Sequence, residues 1–275
     1  MARVGLARCG RPVLPGDEGR LTGSRSILAV DVGNSLTKIA RVTAESVEHL
    51  GAVATGCPPD DLARILDGIE PVPAYVCSVV VGALDGVIDG LTAGGATSTH
   101  VLGRDVPLPV TIDYDTPDTL GFDRVIAAYA AWTLHEGGAI VIDAGTAMTV
   151  DWIDSDRTFR GGAIAPGPAT LGAALSQAAP ALDRVDPEPM SSWPGRTTRE
   201  SLVVGVTAAA RGMVRDIVSV ARDRAGAEVA VVVTGGAGPL VSRLLEVPHE
   251  FEPHLLVRGL GAIAGVPWTR PSSAT

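Results

Sequence analysis

The sequence predicts an α/β protein built twice over, each half a mixed sheet flanked by helices. Three observations carry this. From residue 27 onward, short β-branched runs alternate with longer alanine-rich stretches, the signature of α/β layering rather than an all-β sandwich. ILAVDVGNSLTKIARV, beginning at Ile27, is echoed by AIVIDAGTAMTVDWID, beginning at Ala139, so that Asp31 falls on Asp143, Gly33 on Gly145 and Thr37 on Thr149 at one constant offset. And 46% of the 275 residues are apolar but only 4% aromatic, so Val, Leu, Ile and Ala must build the core.

Taken in order, the first apolar run (27–32) reads as a strand ending in Asp31, and a Gly-containing turn leads to a second strand over 37–42. Val47 opens a third over 47–52, the acidic start of DDLARIL a helix over 60–66, and the run AYVCSVVV a strand over 74–81. A helix is expected over 119–135, with Val125, Ile126, Tyr129 and Trp132 as its apolar stripe. The second copy supplies strands over 139–143, 148–153 and 159–164, helices over 168–177 and 198–224, a strand over 229–234 and a helix over 238–245. The Gly137–Gly138 pair marks the expected boundary, giving domains over 27–136 and 137–266 whose hairpin turns face each other across a cleft. Residues 1–26 are expected to form a disordered leader, or to reflect a start site placed too early, and 267–275 a tail.

Composition narrows the function classes. With 22 basic against 31 acidic residues the formal charge is -9, which argues against a partner such as nucleic acid or anionic lipid. Cys9, Cys57 and Cys77 are odd in number and widely spaced, as expected of reduced thiols in a cytoplasmic protein, with neither a disulfide frame nor a zinc site. Apolar runs such as 27–32 and 76–84 fall well short of the roughly 20 residues a bilayer span needs, so no membrane association is expected. The five arginines among the first 26 residues accompany no signal-peptide core. None of the five histidines has metal-ligand spacing. One lysine, Lys38, stands among 22 basic residues.

An Asp at a strand end before a Gly-rich turn has two readings. It caps its own turn, or it holds a cation while the turn's N–H groups cradle phosphate. The first turn is Gly33-Asn34-Ser35, followed by Thr37 and Lys38, and the second is Gly145-Thr146-Ala147. Asp31 and Asp143 would repel a polyphosphate unless a metal lay between, so the repeated pair favours an ATP phosphate site, and no Walker loop competes with it. A third glycine turn in VAVVVTGGAGPL places Gly235 and Gly236 at a strand's carboxyl end, where adenine or ribose can approach.

DVGNSLTK, DAGTAMT and VVTGGAG resemble the two phosphate motifs and the adenosine motif of the actin, sugar-kinase and heat-shock ATPase superfamily, whose domains are ribonuclease-H-like. Four more segments, IDYDTPDTLGFDR, RGGAIAPGPATLGAAL, TTRESLVVG and HLLVRGLGAIA, resemble one member, type III pantothenate kinase, from about residue 27 to 266. The resemblance implies an ATP-dependent, homodimeric enzyme that phosphorylates pantothenate to 4'-phosphopantothenate, the first step of coenzyme A biosynthesis. It assigns ATP binding to Asp31, Val32, Gly33, Asn34, Ser35, Leu36, Thr37, Lys38 and Thr146, and magnesium to Asp31. It makes Asp143 the ligand of a monovalent cation, potassium or ammonium. Tyr114, Gly121, Phe122, Asp123, Arg124 and Thr198 become substrate residues, with Asp123 the proton acceptor and Thr198 reaching the neighbouring subunit's acceptor.

On spacing alone, Asp123 complements a helix dipole and Arg124 is solvated. The chemistry of a small-molecule kinase offers the other reading: a carboxylate for the attacking hydroxyl's proton and a cation for an anionic acceptor. Lys38, as a compact point charge, suits the phosphates better than a guanidinium fork. Two departures from the family pattern are Thr197 for Asn and Ser35 for Thr. The rivals are a catalytically inactive regulatory relative of the same fold and a kinase for another acceptor, such as a sugar.

Overall fold

A computed structural model describes residues 26–188 and 193–268. Residues 1–25 of the expected leader and 269–275 of the expected tail lie outside them. Contacts divide the chain into two units, 1–134 with 256–275, and 135–255.

In the first unit, β1 (Ser26–Val32), β2 (Leu36–Thr43) and β3 (Val47–Ala54) form an antiparallel meander, and β4 (Ala74–Ser78) and β5 (Thr99–Val101) add in parallel, giving the order β3-β2-β1-β4-β5. Strand periodicity sorts side chains to two faces. Leu28, Val30, Val32 and Ile39 pack with Leu62 of α1 (Pro59–Ile65) and Val87 and Leu91 of α2 (Leu84–Ala93). Ile27, Ala29, Ala40 and Val42 face the other way, onto Ile126 of α3 (Phe122–His135) and Val257 and Leu260 of a C-terminal helix. A two-residue strand, β6 (Thr111–Ile112), precedes α3.

The second unit repeats the frame. β7 (Ala139–Ala144), β8 (Ala147–Ile153) and β9 (Thr158–Pro166) are antiparallel, β10 (Ala230–Thr234) and β11 (Glu250–Phe251) are parallel to β7, and the order is β11-β10-β7-β8-β9. α4 (Pro168–Ala178) follows β9, and α5 (Thr198–Ala225) and α6 (Gly238–Leu244) flank β10 in sequence. Ile140, Ile142, Val231 and Val233 bury against Val214 and Val218 of α5 and Val241 of α6. The expected internal duplication is thus present strand for strand.

Three expectations change. α7 (Leu255–Ile263) belongs with the first unit, not with the second as the 137–266 boundary implied, because Val257 and Leu260 fill that core and Arg258 donates to the Thr43 carbonyl at 2.8 Å. α2 and α7 were not expected as helices; each carries two glycines that dilute the helical pattern. One glycine in each helix serves close approach: a Cβ at Gly90 would stand 2.8 Å from the Pro59 carbonyl, and one at Gly259 2.9 Å from that of Ile126. Finally, α3 has no single stripe. Its alanines 127, 128, 130 and 131 are buried with Val125 and Ile126, whereas Tyr129 and Trp132 are half-buried and stack on each other.

Candidate active site

The β1–β2 hairpin places the first motif. Asp31 pairs with Lys38 across the ladder and with Cys77 on the parallel side. Strand alternation puts Asp31 on the Ile27–Ala29 face, the side that α3 covers, and sends Val32 into the opposite core. The Lys38 ammonium lies 3.9 Å from the Asp31 carboxylate, with the lysine 58% and the aspartate only 23% exposed. Burial raises the Asp31 pKa above the usual carboxylate value; Lys38 opposes the shift and the Asp123 charge adds to it. The buried Cys77 thiol is pushed well above its ordinary pKa by burial and by the same two carboxylates. Asp31 and Asp123 therefore act within one electrostatic neighbourhood.

At the tip, Gly33 N–H bonds the Leu36 carbonyl at 3.1 Å, leaving Asn34, Ser35 and Leu36 exposed, while Thr37 is buried on the α1–α2 side. A desolvated carboxylate, one ammonium and an exposed small-residue turn fit a metal-bound phosphate, since magnesium needs only one or two protein carboxylates beside phosphate oxygens. Among the described residues, no three His, Cys, Asp or Glu side chains cluster as a self-sufficient metal centre.

Asp123 sits in the first turn of α3, and its Oδ1 accepts the Arg124 N–H at 2.9 Å. Gly121 precedes it because a Cβ there would collide with that carboxylate. Arg124 is 8% exposed, which overturns the solvated reading. Phe122 packs over Gly103 and against the core beneath α3, as a wedge for the helix start. Tyr114 is half-buried in the loop after β6.

In the second unit Asp143 pairs with Thr149 and Thr234, the ladder positions of Lys38 and Cys77; because this turn is one residue shorter than the first, Thr149 takes the place of Lys38 and not that of Thr37, which the constant offset gave. Gly235, at φ +86°, closes over it: a Cβ there would strike Asp143 Oδ1 and stand 2.6 Å from the Ala144 carbonyl. Ala237 N–H then bonds that carbonyl at 2.8 Å. The second phosphate motif and the adenosine motif are thus brought together by β7–β10 pairing. Thr146 is exposed in its turn, and its carbonyl accepts from Gly167 N–H at 2.8 Å and Thr170 Oγ1 at 2.6 Å, which ties the turn to the start of α4. Thr198 is exposed at the first position of α5. Thr197 caps this helix: its hydroxyl accepts the Glu200 N–H at 3.2 Å and Glu200 returns a bond to the Thr197 N–H. The Thr-x-x-Glu spacing carried that signal in the sequence.

Two sheets, each presenting a half-buried aspartate and a tight glycine turn at the carboxyl end of a parallel strand, give the chain an actin-like ATPase fold. The same fold appears in MreB5 of Spiroplasma citri bound to ADP, at a TM-score of 0.50 and 10% identity over 87% of this chain and 96% of that one. A Campylobacter jejuni protein assigned to a Baf family of transcriptional activators matches at 0.56 and 20% identity, covering 86% and 97%. These likenesses carry the fold alone. The family model for type III pantothenate kinase matches residues 27–220, and the chain belongs to that family of kinases. Akkermansia muciniphila type III pantothenate kinase is 32% identical over 87% of this chain and 98% of its own length, and that of Zymomonas mobilis 31% identical over 86% and 91%.

Proposed function

We propose that this chain transfers the γ-phosphoryl group of ATP to the terminal hydroxyl of pantothenate, yielding 4'-phosphopantothenate and ADP. One observation supports the reading beyond family membership: Asp31 stands on the sheet face that α3 covers, with Asp123 in the first turn of that helix, and the Asp123 charge adds to the upward shift of the Asp31 pKa.

Arg124 and Tyr114 hold the anionic acceptor at the α3 start, and Gly121 gives its hydroxyl access to Asp123. The hydroxyl oxygen forms a bond to the γ-phosphorus as the bond to the β–γ bridging oxygen breaks. Its proton passes to Asp123 Oδ2, since Oδ1 is engaged by Arg124 N–H. A loose transition state needs a positioned acceptor more than a strong base. In the first unit the Gly33–Leu36 turn and Lys38 bind phosphate, and in the second unit the turn at Thr146 offers a further ATP contact. Asp31 would hold magnesium and Asp143 a potassium or ammonium ion, and these would supply charge neutralisation. Thr198 serves the acceptor pocket of a second copy in a cytoplasmic homodimer. No helix of the described residues is long and apolar enough to cross a membrane.

The test is ADP release with pantothenate, with and without potassium. Turnover that requires pantothenate and rises with potassium is the expected outcome. Protein that binds ATP yet consumes none would instead favour a regulatory relative.

A further inference from the structure

Thr55, one residue past β3, touches the phosphate hairpin at three points. Its hydroxyl donates to the Gly33 carbonyl at 2.7 Å, and its N–H donates to the Ser35 carbonyl at 3.0 Å. With that hydroxyl proton committed to Gly33, the Thr37 hydroxyl, 3.3 Å away, donates to Thr55 Oγ1. The result is a short relay, Thr37 to Thr55 to Gly33, rooted in a residue only 1% exposed.

Peptide planarity gives this clamp a consequence at the tip. In a trans peptide the N–H points opposite to the carbonyl of the same unit. Drawing the Gly33 and Ser35 carbonyls towards Thr55 turns the N–H groups of Asn34 and Leu36 away from β3. Both residues are exposed at the tip, and without the clamp the turn's peptide units could rotate about their flanking bonds. We infer that Thr55 is a positioning residue that orients the Asn34 and Leu36 amides for phosphate. It touches no substrate and acts through the hairpin backbone. Where the phosphate is that of ATP, this rests on the kinase reading above.

The experiment compares Thr55→Val, which removes the hydroxyl and keeps the shape and the backbone N–H, with Thr55→Ser, which keeps the hydroxyl. In Thr55→Val the KM for ATP and the Kd for ADP rise about tenfold, the size expected for one lost orienting hydrogen bond, while the KM for pantothenate stays unchanged. Thr55→Ser remains within about threefold of wild type, as a retained hydroxyl requires. The inference is overturned if Thr55→Val binds nucleotide like wild type, if Thr55→Ser loses as much, or if both KM values rise together. Should Thr55→Val not fold, Thr55→Ala takes its place in the same comparison. Backbone 15N order parameters of Asn34 and Leu36 in the ligand-free protein test the clamp without reference to the reaction. They fall in Thr55→Val and hold in Thr55→Ser, and unchanged values in Thr55→Val would overturn the inference. A wild-type protein that neither binds ATP nor releases ADP would sink the kinase reading, and the order parameters would still decide the clamp.

Discussion

The two sheets share one strand order and differ in what they put beside the aspartate. In the first, Asp31 has Lys38 on one side and Cys77 on the other; in the second, Asp143 has Thr149 and Thr234. After Cys77 the first sheet continues as Ser78-Val79, Ser78 still within β4, and after Thr234 the second continues as Gly235-Gly236. The strand frame and the strand-end carboxylate are common to both halves, whereas the second hairpin turn is one residue shorter and single positions put an ammonium beside one aspartate and a glycine pair after the strand next to the other. The first half also places an acid, Asp123, in the first turn of α3, and this is the group to which the proposed reaction gives the acceptor's proton.

The largest effect expected from this asymmetry is at Asp123. Asp123→Asn keeps the size and the bond from Arg124 N–H but cannot take a proton, and kcat should fall by roughly 10²–10⁴. ADP binding, measured by calorimetry, should stay near wild type. A loss below about threefold in ADP release would remove the proton-acceptor role.

Asp31→Asn comes next, with activity and stability moving in opposite directions. Turnover should fall by about 10²-fold as the metal and phosphate partner is lost. Because burial and Asp123 raise the Asp31 pKa, the folded chain holds this proton more tightly than the unfolded chain. The stability linked to that proton is complete below the ordinary carboxylate pKa and is lost as pH rises through the raised value. At neutral pH the ionised side chain is thus a cost to folding, and Asp31→Asn should melt higher than wild type without nucleotide or metal. That advantage should shrink as pH is lowered through the Asp31 titration; a variant that melts lower at pH 7 contradicts the burial argument.

Much of this frame is legible in the sequence because strand periodicity and the Asp-Gly echo are local signals. All eight expected strands and five expected helices appear, with ends shifted by a few residues in several cases. What could not be read there is tertiary. Gly90 of α2 and Gly259 of α7 look like helix breakers until α1 and α3, which pack against their bare faces, are in view. Arg124 reads as solvated because a helix start is normally wet, yet the packing around α3 buries it. Thr55 carries no motif at all, and its role depends on a register that brings the end of β3 beside the β1–β2 turn.

The difference after the parallel strands can be sharpened at matched positions. Gly235→Ala forces a side chain at φ +86° against the Ala144 backbone and the Asp143 carboxylate, and should cost about 1–3 kcal/mol. Ser78 holds the matching place in the first sheet, where its hydroxyl and the Val80 N–H are 3.0 Å apart. Ser78→Ala should cost only about 0.5–1.5 kcal/mol. Urea melts of both variants measure the gap; equal losses would mean that the two turns are not specialised.

The smallest expected effect concerns the helix starts that present Asp123 and Thr198. At α5 the capping box leaves Thr198 at the first helical position, held by Thr197 and Glu200. Asn at the cap satisfies the same N–H groups as Thr, so the departure from the family pattern at Thr197 preserves the cap. Thr197→Asn should therefore leave the melting free energy within about 0.5 kcal/mol of wild type, and Thr197→Ala should lose about 1 kcal/mol. The pantothenate KM should follow the same order, rising only in Thr197→Ala, where the first turn frays and Thr198 loses its fixed direction. If Thr197→Asn raised that KM as much as Thr197→Ala, the threonine would be acting beyond the cap, and the α5 start would be specialised in a way the α3 start is not.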